Sequence, residues 1–314
     1  NSKAGWVTTG NAGTTAANNF FGTTDDIPLS FRQNDKWIGR WNSTTRNYFI
    51  GDSSGAKTSS GTSNVAIGTK ALAENTTAYA NVAIGNNALE NNATSLRNTV
   101  VGDSAMFTQS FTSGLYFGDN TAIGSKALFS NQPTATNNGT KNTVVGSEAM
   151  ILNTTGYENT AVGVSALREN TTGAANTAIG RSANRLAKAG IYNTYIGYVT
   201  GYTDSLGAAN TGIGAYALYG HHRNSYNTAV GFETMEYDSA GTMNTAIGWR
   251  ALRNNKVGIE NTALGVGALE FDSSGSYNTG VGRYAGFSAK RGDLNVWMGY
   301  RSGYLADTAA FSTS

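Results

Sequence analysis

The amino-acid sequence predicts an all-β fold, a parallel β-solenoid or β-roll assembled from 17-residue repeats. Three observations predict it. A five-residue phrase, Asn-[Thr/Val]-Ala-[aliphatic]-Gly, recurs along most of the chain; most copies begin 17 residues after the preceding one; and glycine supplies 40 of the 314 residues. A fixed period of this kind is typical of coils that stack on their neighbours, because one coil alone cannot bury its apolar face.

The repeat is defined by fourteen copies of the phrase. All have glycine at the fifth position and an aliphatic residue or Met at the fourth. The consensus unit reads N-T-A-[IV]-G-x-x-A-L-x-x-N-T-T-G-x-x, and its residues are called positions 1 to 17 below. The copies begin at Asn64, Asn81, Asn98, Asn120, Asn142, Asn159, Asn176, Asn193, Asn210, Asn227, Asn244, Asn261, Asn278 and Asn295.

Each part of the unit has a structural interpretation. Alternation along a strand places positions 2 and 4 on one face, and we expect this aliphatic face to point inward and positions 1, 3 and 5 to point outward. Positions 8 and 9, usually Ala-Leu, predict a second apolar contact within one helical turn. Glycine at position 15, as in Gly173, predicts a corner with positive φ. We expect the position 1 asparagines to stack from coil to coil.

The repeat also sets the domain boundaries. Residues 47–304 form the solenoid array, since residues 47–51 are an early variant of the phrase. Residues 1–46 are predicted to be a β-rich cap or connector, with weaker echoes of the phrase at 18–22 and 35–39, and residues 305–314 a C-terminal tail. Because the chain starts at Asn1 without Met, we interpret it as a piece of a longer protein.

Composition excludes several classes of protein. A net charge of +2 with 13% charged residues gives no basic surplus for nucleic acid. No apolar run is long enough to insert into a membrane. The absence of cysteine excludes a disulfide framework and a thiolate metal site.

The thin coils predict self-association. Each coil supplies only about two large aliphatic side chains, so a single stack buries little apolar surface. Small residues at position 3 would allow a partner to approach closely. We therefore expect a parallel homotrimer, intertwined or side by side, and a monomeric solenoid is the alternative.

The phrase at residues 81–85 resembles that of head domains in trimeric autotransporter adhesins. The 17-residue unit, with the Ala-Leu and Asn-Thr-Thr-Gly segments of residues 166–173, is even more similar to phage tail-fibre and tailspike-like repeats. The resemblance implies a trimeric receptor-binding segment of a virion tail fibre, joined to an upstream shaft and contacting a bacterial surface glycan or outer-membrane protein. It also implies a C-terminal chaperone that is removed after assembly. The head of a bacterial surface adhesin and a glycan-degrading tailspike are the alternatives.

No enzyme chemistry is indicated, and we predict no catalytic residue, metal site or cofactor. Asp25 and Asp26 are interpreted as a solvated turn, and Glu233 and Glu236 as part of a solvated segment. The column of threonines at position 2 invites comparison with ice-binding arrays. Because we expect that face to point inward, ice binding is not favoured.

Ligand binding is expected where the repeat is interrupted. Two units are 22 residues long, and their extra residues form loops at 109–118 and 131–139, which we expect to lie side by side. The pair His221-His222 is predicted to lie in an exposed loop at the same corner. Exposed aromatic rings with amides and Arg suit sugar or protein contact, although packing between chains is the alternative. The predicted ligand-binding residues are Phe111, Tyr116, Phe117, His221, His222, Arg223 and Tyr226. Other rings expected at this corner are Tyr79, Tyr157, Tyr192 and Tyr277, and a second candidate at the C-terminal end comprises Trp297, Tyr300, Arg301 and Tyr304.

Overall fold

The computed structural model describes residues 23–305, which contain 19 β-strands and no α-helix. Most strands span three residues, one strand for each repeat. The strands are β1 Leu29–Gln33, β2 Lys36–Asn42, β3 Asn47–Ile50, β4 Val65–Ile67, β5 Val82–Ile84, β6 Ser95–Leu96, β7 Thr99–Val101, β8 Tyr116–Phe117, β9 Thr121–Ile123, β10 Thr143–Val145, β11 Thr160–Val162, β12 Thr177–Ile179, β13 Thr194–Ile196, β14 Thr211–Ile213, β15 Thr228–Val230, β16 Thr245–Ile247, β17 Thr262–Leu264, β18 Thr279–Val281 and β19 Val296–Met298.

The strands stack into a parallel β-solenoid of about 15 turns, which confirms the predicted fold class. From β3 onward each repeat strand pairs in parallel with the strand of the next coil, and identical repeat positions face each other. Thr160 pairs with Thr177, for example, and Val162 with Ile179. The inserted residues do not break this register, because β6 and β8 form a small parallel sheet of their own.

The N-terminal part of the described chain is an antiparallel cap. Strands β1 and β2 form a hairpin whose turn holds Asn34 and Asp35 at positive φ, and β2 pairs antiparallel with β3. The hairpin thus covers the edge of the first coil, which would otherwise be open to pairing. Residues 35–39 belong to this hairpin and form no coil, contrary to the sequence echo. The echo at 18–22 and the tail beyond residue 305 lie outside the described residues.

The orientation of the repeat strand is opposite to our expectation. Ala66 is completely buried, whereas its neighbours Val65 and Ile67 are partly exposed, and the same pattern recurs in the later coils. The interior is already filled from the other side by Ala71 and Leu72, at positions 8 and 9. Only a small side chain fits between them and the strand, so position 3 points inward and positions 2 and 4 point outward.

The segment after the strand is a run of turns and not the helical turn we expected. Position 7 and position 9 adopt left-handed backbone conformations in successive coils, as in Lys70 (φ 57°) and Leu72 (φ 53°). Such conformations cost non-glycine residues about 1–2 kcal/mol each. Stacking offsets this cost, because the amide of Leu72 donates to the carbonyl of Ala88 in the next coil at 3.0 Å.

The position 1 asparagines form the predicted ladder, but it runs inside the coil. Asn176 donates its backbone amide and its side-chain amide to Oδ1 of Asn159, at 3.0 and 3.1 Å. Its side-chain amide also donates to the carbonyl of Gly190 at 2.7 Å. A second internal ladder occupies position 12, where Asn170 donates to Oδ1 of Asn153 at 2.9 Å. These two ladders give hydrogen-bond partners to buried polar groups at the corners of the coil, but Oδ1 of Asn75 and Oδ1 of Asn170 in the position 12 ladder have none within residues 23–305.

Glycine at position 15 has a different cause from the one predicted. Gly173 does not adopt positive φ. A Cβ atom there would lie 2.3 Å from Oδ1 of Asn170 and 2.5 Å from the carbonyl oxygen of Gly190. Close approach between coils therefore requires glycine at this corner. Positive φ belongs to the position 5 glycines, such as Gly163 at 132°.

Candidate ligand-binding surfaces

The first inserted loop buries one of its three predicted contact residues. Tyr116 is only 3% exposed, its hydroxyl contacts the Gln109 amide, and burial raises its pKa to about 12. The half-buried ring of Phe111 packs edge-on against it, with centroids 4.9 Å apart. Tyr116 and Phe111 thus hold the loop together, and the expectation that Tyr116 is an exposed contact is wrong.

Phe117 is the exposed ring of this loop. Half of its surface is accessible, and the guanidinium of Arg97 lies 4.1 Å from the ring centroid. Arg97 is fixed in turn by Asp119, with an N–O distance of 2.6 Å. With the exposed side chain of Leu115, these residues make a small outward patch.

The two inserted loops lie on neighbouring coils, as expected. The side-chain amide of Asn131 donates to Oε1 of Gln109 at 2.5 Å and to the carbonyl of Gly139 at 2.9 Å. Both Asn131 and Gln109 are completely buried. These contacts anchor the bases of the loops in the position 12 ladder.

His221 is buried, which contradicts the predicted exposed histidine pair. It occupies position 12, so its side chain enters the column that asparagine fills in other coils. Its Nε2 lies 2.9 Å from Nδ2 of Asn227, and its Nδ1 lies 3.6 Å from Oδ2 of Asp204. His222, Arg223 and Tyr226 do lie on the surface, and Tyr226 is 61% exposed.

Around His221 the ladder becomes acidic. Asp204 and Asp238 flank it in the coils on either side, and both are buried. The Tyr195 hydroxyl donates to Oδ2 of Asp204 at 2.6 Å, and the amide of Gly241 donates to Oδ1 of Asp238 at 2.6 Å. Burial raises the pKa of Asp238 to about 7. This cluster is enclosed in the coil, so it bears on stability and offers no accessible site.

A large group of exposed and half-buried rings lies on a surface of which only the C-terminal end was predicted from the sequence. We call it the aromatic–arginine face: the aromatic and charged residues at positions 6, 7, 10 and 11 of the coils from 176 to 304. Its aromatic members are Tyr198, Tyr202, Tyr216, Tyr219, Phe232, Tyr237, Trp249, Phe271, Tyr284, Phe287, Tyr300 and Tyr304, and its arginines are Arg181, Arg185, Arg250, Arg253, Arg283 and Arg301. Alignment of the repeats in columns would have exposed this enrichment.

The rings of this face contact one another from coil to coil. Tyr202 stacks on Tyr219 with centroids 5.5 Å apart, and Phe287 stacks on Tyr304 at 4.9 Å. Tyr216 lies edge-on to Tyr198 at 5.7 Å. Such contacts hold the rings in place while leaving parts of them accessible.

Two of the arginines neutralise the glutamates of the same face. The guanidinium of Arg250 lies 2.7 Å from Glu233, and that of Arg253 lies 2.7 Å from Glu236. Glu236 is 9% exposed. The interpretation of Glu233 and Glu236 as a solvated segment is therefore wrong, because both carboxylates are held in ion pairs.

The remaining predicted features lie in several places. Trp297 is buried in the last coils, whereas Tyr300 is 64% exposed. Asp25 and Asp26 are exposed. Within residues 23–305, no three His, Asp or Glu side chains are grouped as a metal site would require, and no helix there could cross a membrane.

A cleft of about 510 Å³ lies beside the N-terminal hairpin, which the sequence analysis did not anticipate. Trp37, Arg40, Phe49 and Asp52 contribute to its lining.

Comparison with known proteins adds no further assignment, since no family model, no curated protein and no solved structure matches this chain.

Proposed function

We propose that the chain is a non-enzymatic, homotrimeric fibre segment that binds a bacterial cell surface, as the distal part of a phage-type tail fibre does. The observation that carries the proposal is an apolar stripe on the outer face of the long sheet. It consists of the position 4 side chains, and those of Ile67, Ile123, Ile179 and Ile213 are each 37–38% exposed.

The stripe runs the length of the array. It includes Ile50 of β3 and the position 4 residues of the fourteen later copies. These 15 side chains are separated by 14 steps, which extend about 67 Å at the strand spacing of about 4.8 Å. Monomeric proteins rarely expose continuous apolar surface on this scale. Burial of these side chains against a partner would supply the apolar contact that the thin interior lacks. The surface that we expected inside the coil thus supports self-association from the outside.

A second apolar surface adjoins the stripe, which favours a ring of copies. Positions 14, 16 and 17 precede the strand and carry exposed residues such as Tyr192, Leu206, Tyr226 and Val257. A cyclic assembly pairs two different surfaces of neighbouring copies, and rotation closes the ring. We propose three copies because the repeat resembles those of trimeric fibres and adhesin heads.

The proposed position of the segment rests on the resemblance of its repeats to those of tail fibres. The proposed trimer is an extracellular rod attached to an upstream fibre shaft, with its partner a glycan or outer-membrane protein of the bacterial surface. Phe117 and His222 remain the predicted contacts, whereas Arg223 and Tyr226, at positions 14 and 17, would lie between copies in this trimer. Binding of labelled protein to host bacteria tests this role, and absence of attachment to any susceptible strain would oppose it.

Light scattering of the purified chain tests the assembly. We expect three copies per particle for the wild-type chain, and dissociation for Ile179→Lys combined with Ile213→Lys. Val164→Lys is the matched control, because Val164 is 51% exposed at position 6, away from the stripe. A monomeric wild-type chain, or equal dissociation by Val164→Lys, would contradict the proposal.

Two alternatives predict other results. The head of a bacterial surface adhesin would form the same trimer but be encoded with a downstream membrane anchor. A glycan-degrading tailspike would release sugar from washed cells. Sequencing of the surrounding reading frame and a sugar-release assay separate these alternatives from the fibre.

The outer face also supports ice binding as a second candidate function. Thr177 and Ile179 point outward in register with Thr160 and Val162, which gives a regular array of hydroxyl and methyl groups. The orientation that made this function unfavourable in the sequence analysis is not observed. Thermal hysteresis by the wild-type chain, abolished by Thr177→Lys, would favour ice binding over trimerisation through this face.

A further inference from the structure

We infer that the aromatic–arginine face binds a linear acidic polysaccharide along the axis of the solenoid. The inference rests on the proposed receptor-binding function and names the class of the ligand and its place. The face spans eight coils, about 34 Å at the strand spacing. It lies on a different part of the coil from the apolar stripe, so it stays accessible in the proposed trimer.

The repeat supplies an internal control for the aromatic residues. The coils between residues 64 and 165 have the same backbone and the same ladders, yet positions 6 and 7 there carry residues such as Lys70, Asn86, Ser125 and Glu148. The fold therefore does not require rings at these positions. Their concentration in the C-terminal half is a property of that surface and not of the coil.

The rings suit sugars. Aromatic faces pack on the apolar faces of pyranose rings, and tyrosine adds a hydroxyl that can bond to sugar hydroxyls. The rise of one coil is comparable with the length of one sugar unit in a linear polymer. Tyr202 and Tyr219 stack face to face, so the successive coils there can present ring edges and hydroxyls to successive sugars.

The arginines of this face indicate that its ligand is acidic. Six arginines stand against three glutamates on this face, which makes it positive although the whole chain carries only +2. Arg181, Arg185, Arg283 and Arg301 form no ion pair with any carboxylate of residues 23–305. Several lie over rings instead: the guanidinium of Arg185 is 5.8 Å from the centroid of the Tyr202 ring and donates to its hydroxyl at 3.0 Å. A guanidinium fixed in this way is prepared to bind a sugar carboxylate with two hydrogen bonds.

Binding to defined polymers tests the inference. The immobilised chain is exposed to polygalacturonate, alginate and polysialic acid, and to methyl-esterified polygalacturonate as the uncharged match. We expect binding of at least one acidic polymer and at least about tenfold weaker binding of the ester. No binding of any acidic polymer, or equal binding of the ester and the acid, would overturn the inference.

Variants locate the site. Tyr202→Ser with Tyr219→Ser, and separately Arg181→Gln with Arg185→Gln, are expected to weaken binding at least about tenfold. Phe107→Ser with Phe129→Ser is the matched control, because those rings also stack at position 10, 5.3 Å apart, but lie in the N-terminal half. Polar residues occupy position 10 in other coils, so these variants should fold. Equal loss in the control would place binding elsewhere.

The outcome is separable from that of the proposed function. Light scattering and cell attachment report on the fibre segment, whatever its ligand. A trimer that attaches to cells but is not displaced by excess acidic polysaccharide would refute the polysaccharide and leave the fibre proposal standing. A chain that binds the polymer but forms no trimer would refute the fibre proposal and leave the polysaccharide proposal standing.

Discussion

Gly201 lies against the ring of Tyr195 inside one coil: a Cβ atom at residue 201 would be 2.5 Å from two ring carbons. Tyr195 occupies position 3, where most coils have alanine, and Gly201 occupies position 9, where leucine is the commonest residue. The two changes together keep the volume of the interior nearly constant. The same combination of a large residue at position 3 and a glycine at position 9 occurs in the pairs Phe49–Gly55 and Trp297–Gly303.

This exchange predicts strong coupling between the two positions. Tyr195→Ala should cost about 3–5 kcal/mol through the cavity it leaves, and Gly201→Leu about 1–3 kcal/mol through overpacking. The triple variant that combines both changes with Asp204→Asn, which removes the carboxylate that the Tyr195 hydroxyl satisfies, restores the consensus coil and should recover most of the loss. Denaturant unfolding measures the three variants, and additive losses would contradict the coupling.

The internal asparagine ladder predicts that one amide supports two coils. Asn176→Ala removes the acceptor of the buried backbone amide of Asn193, which donates to it at 3.0 Å. An unsatisfied buried donor costs about 1–3 kcal/mol, so we expect a lower melting temperature and faster hydrogen exchange in the two adjoining coils. Asn86→Ala is the control, because Asn86 donates to Asp103 on the surface. Equal effects of the two variants would show that the buried ladder contributes no more to stability than the surface hydrogen bond of Asn86.

The buried carboxyls predict a stability that falls as pH rises. Burial raises the pKa of Asp238 from 3.8 to about 7 and that of Asp272 from 3.8 to about 6. From about pH 4 to pH 7 the folded chain therefore binds more protons than the unfolded chain, so the free energy of unfolding decreases across this window. Melting temperatures measured across it check the sign.

A matched pair of variants assigns this pH dependence. Asp238→Asn introduces the residue that position 12 has in Asn255 and should raise the melting temperature above pH 7 while changing little near pH 4. Asp25→Asn, at an exposed site, should follow the wild-type profile. If the melting temperature of Asp238→Asn falls with pH as steeply as that of the wild-type chain, Asp238 is not the cause of the pH dependence.

The first inserted loop separates packing from recognition. Tyr116→Ala should destabilise the loop because the ring is buried against Phe111. Phe117→Ala should leave the melting temperature unchanged, since half of that ring is exposed, and should reduce attachment to host cells as the predicted contact. Undiminished attachment would remove Phe117 from the ligand-binding residues.

The repeat by itself determined the fold, the register and the coil boundaries, because a period of 17 residues admits few structures other than a stack of coils. It also predicted the self-stacking of the position 1 asparagines. These features are local and recur in every unit, so the pattern of residue types contains them. The adjacency of the two inserted loops followed from the same register.

Only the tertiary structure decided which side of the strand is the interior. Alternation assigns Ala66 and Ile67 to opposite faces but does not say which face is inside, and the larger side chain was the natural choice. Leu72 enters from the opposite side of the coil and leaves room for a methyl group alone, so Ile67 is turned outward. The same geometry buries His221, since a polar residue at position 12 joins an internal ladder that no local sequence feature reveals.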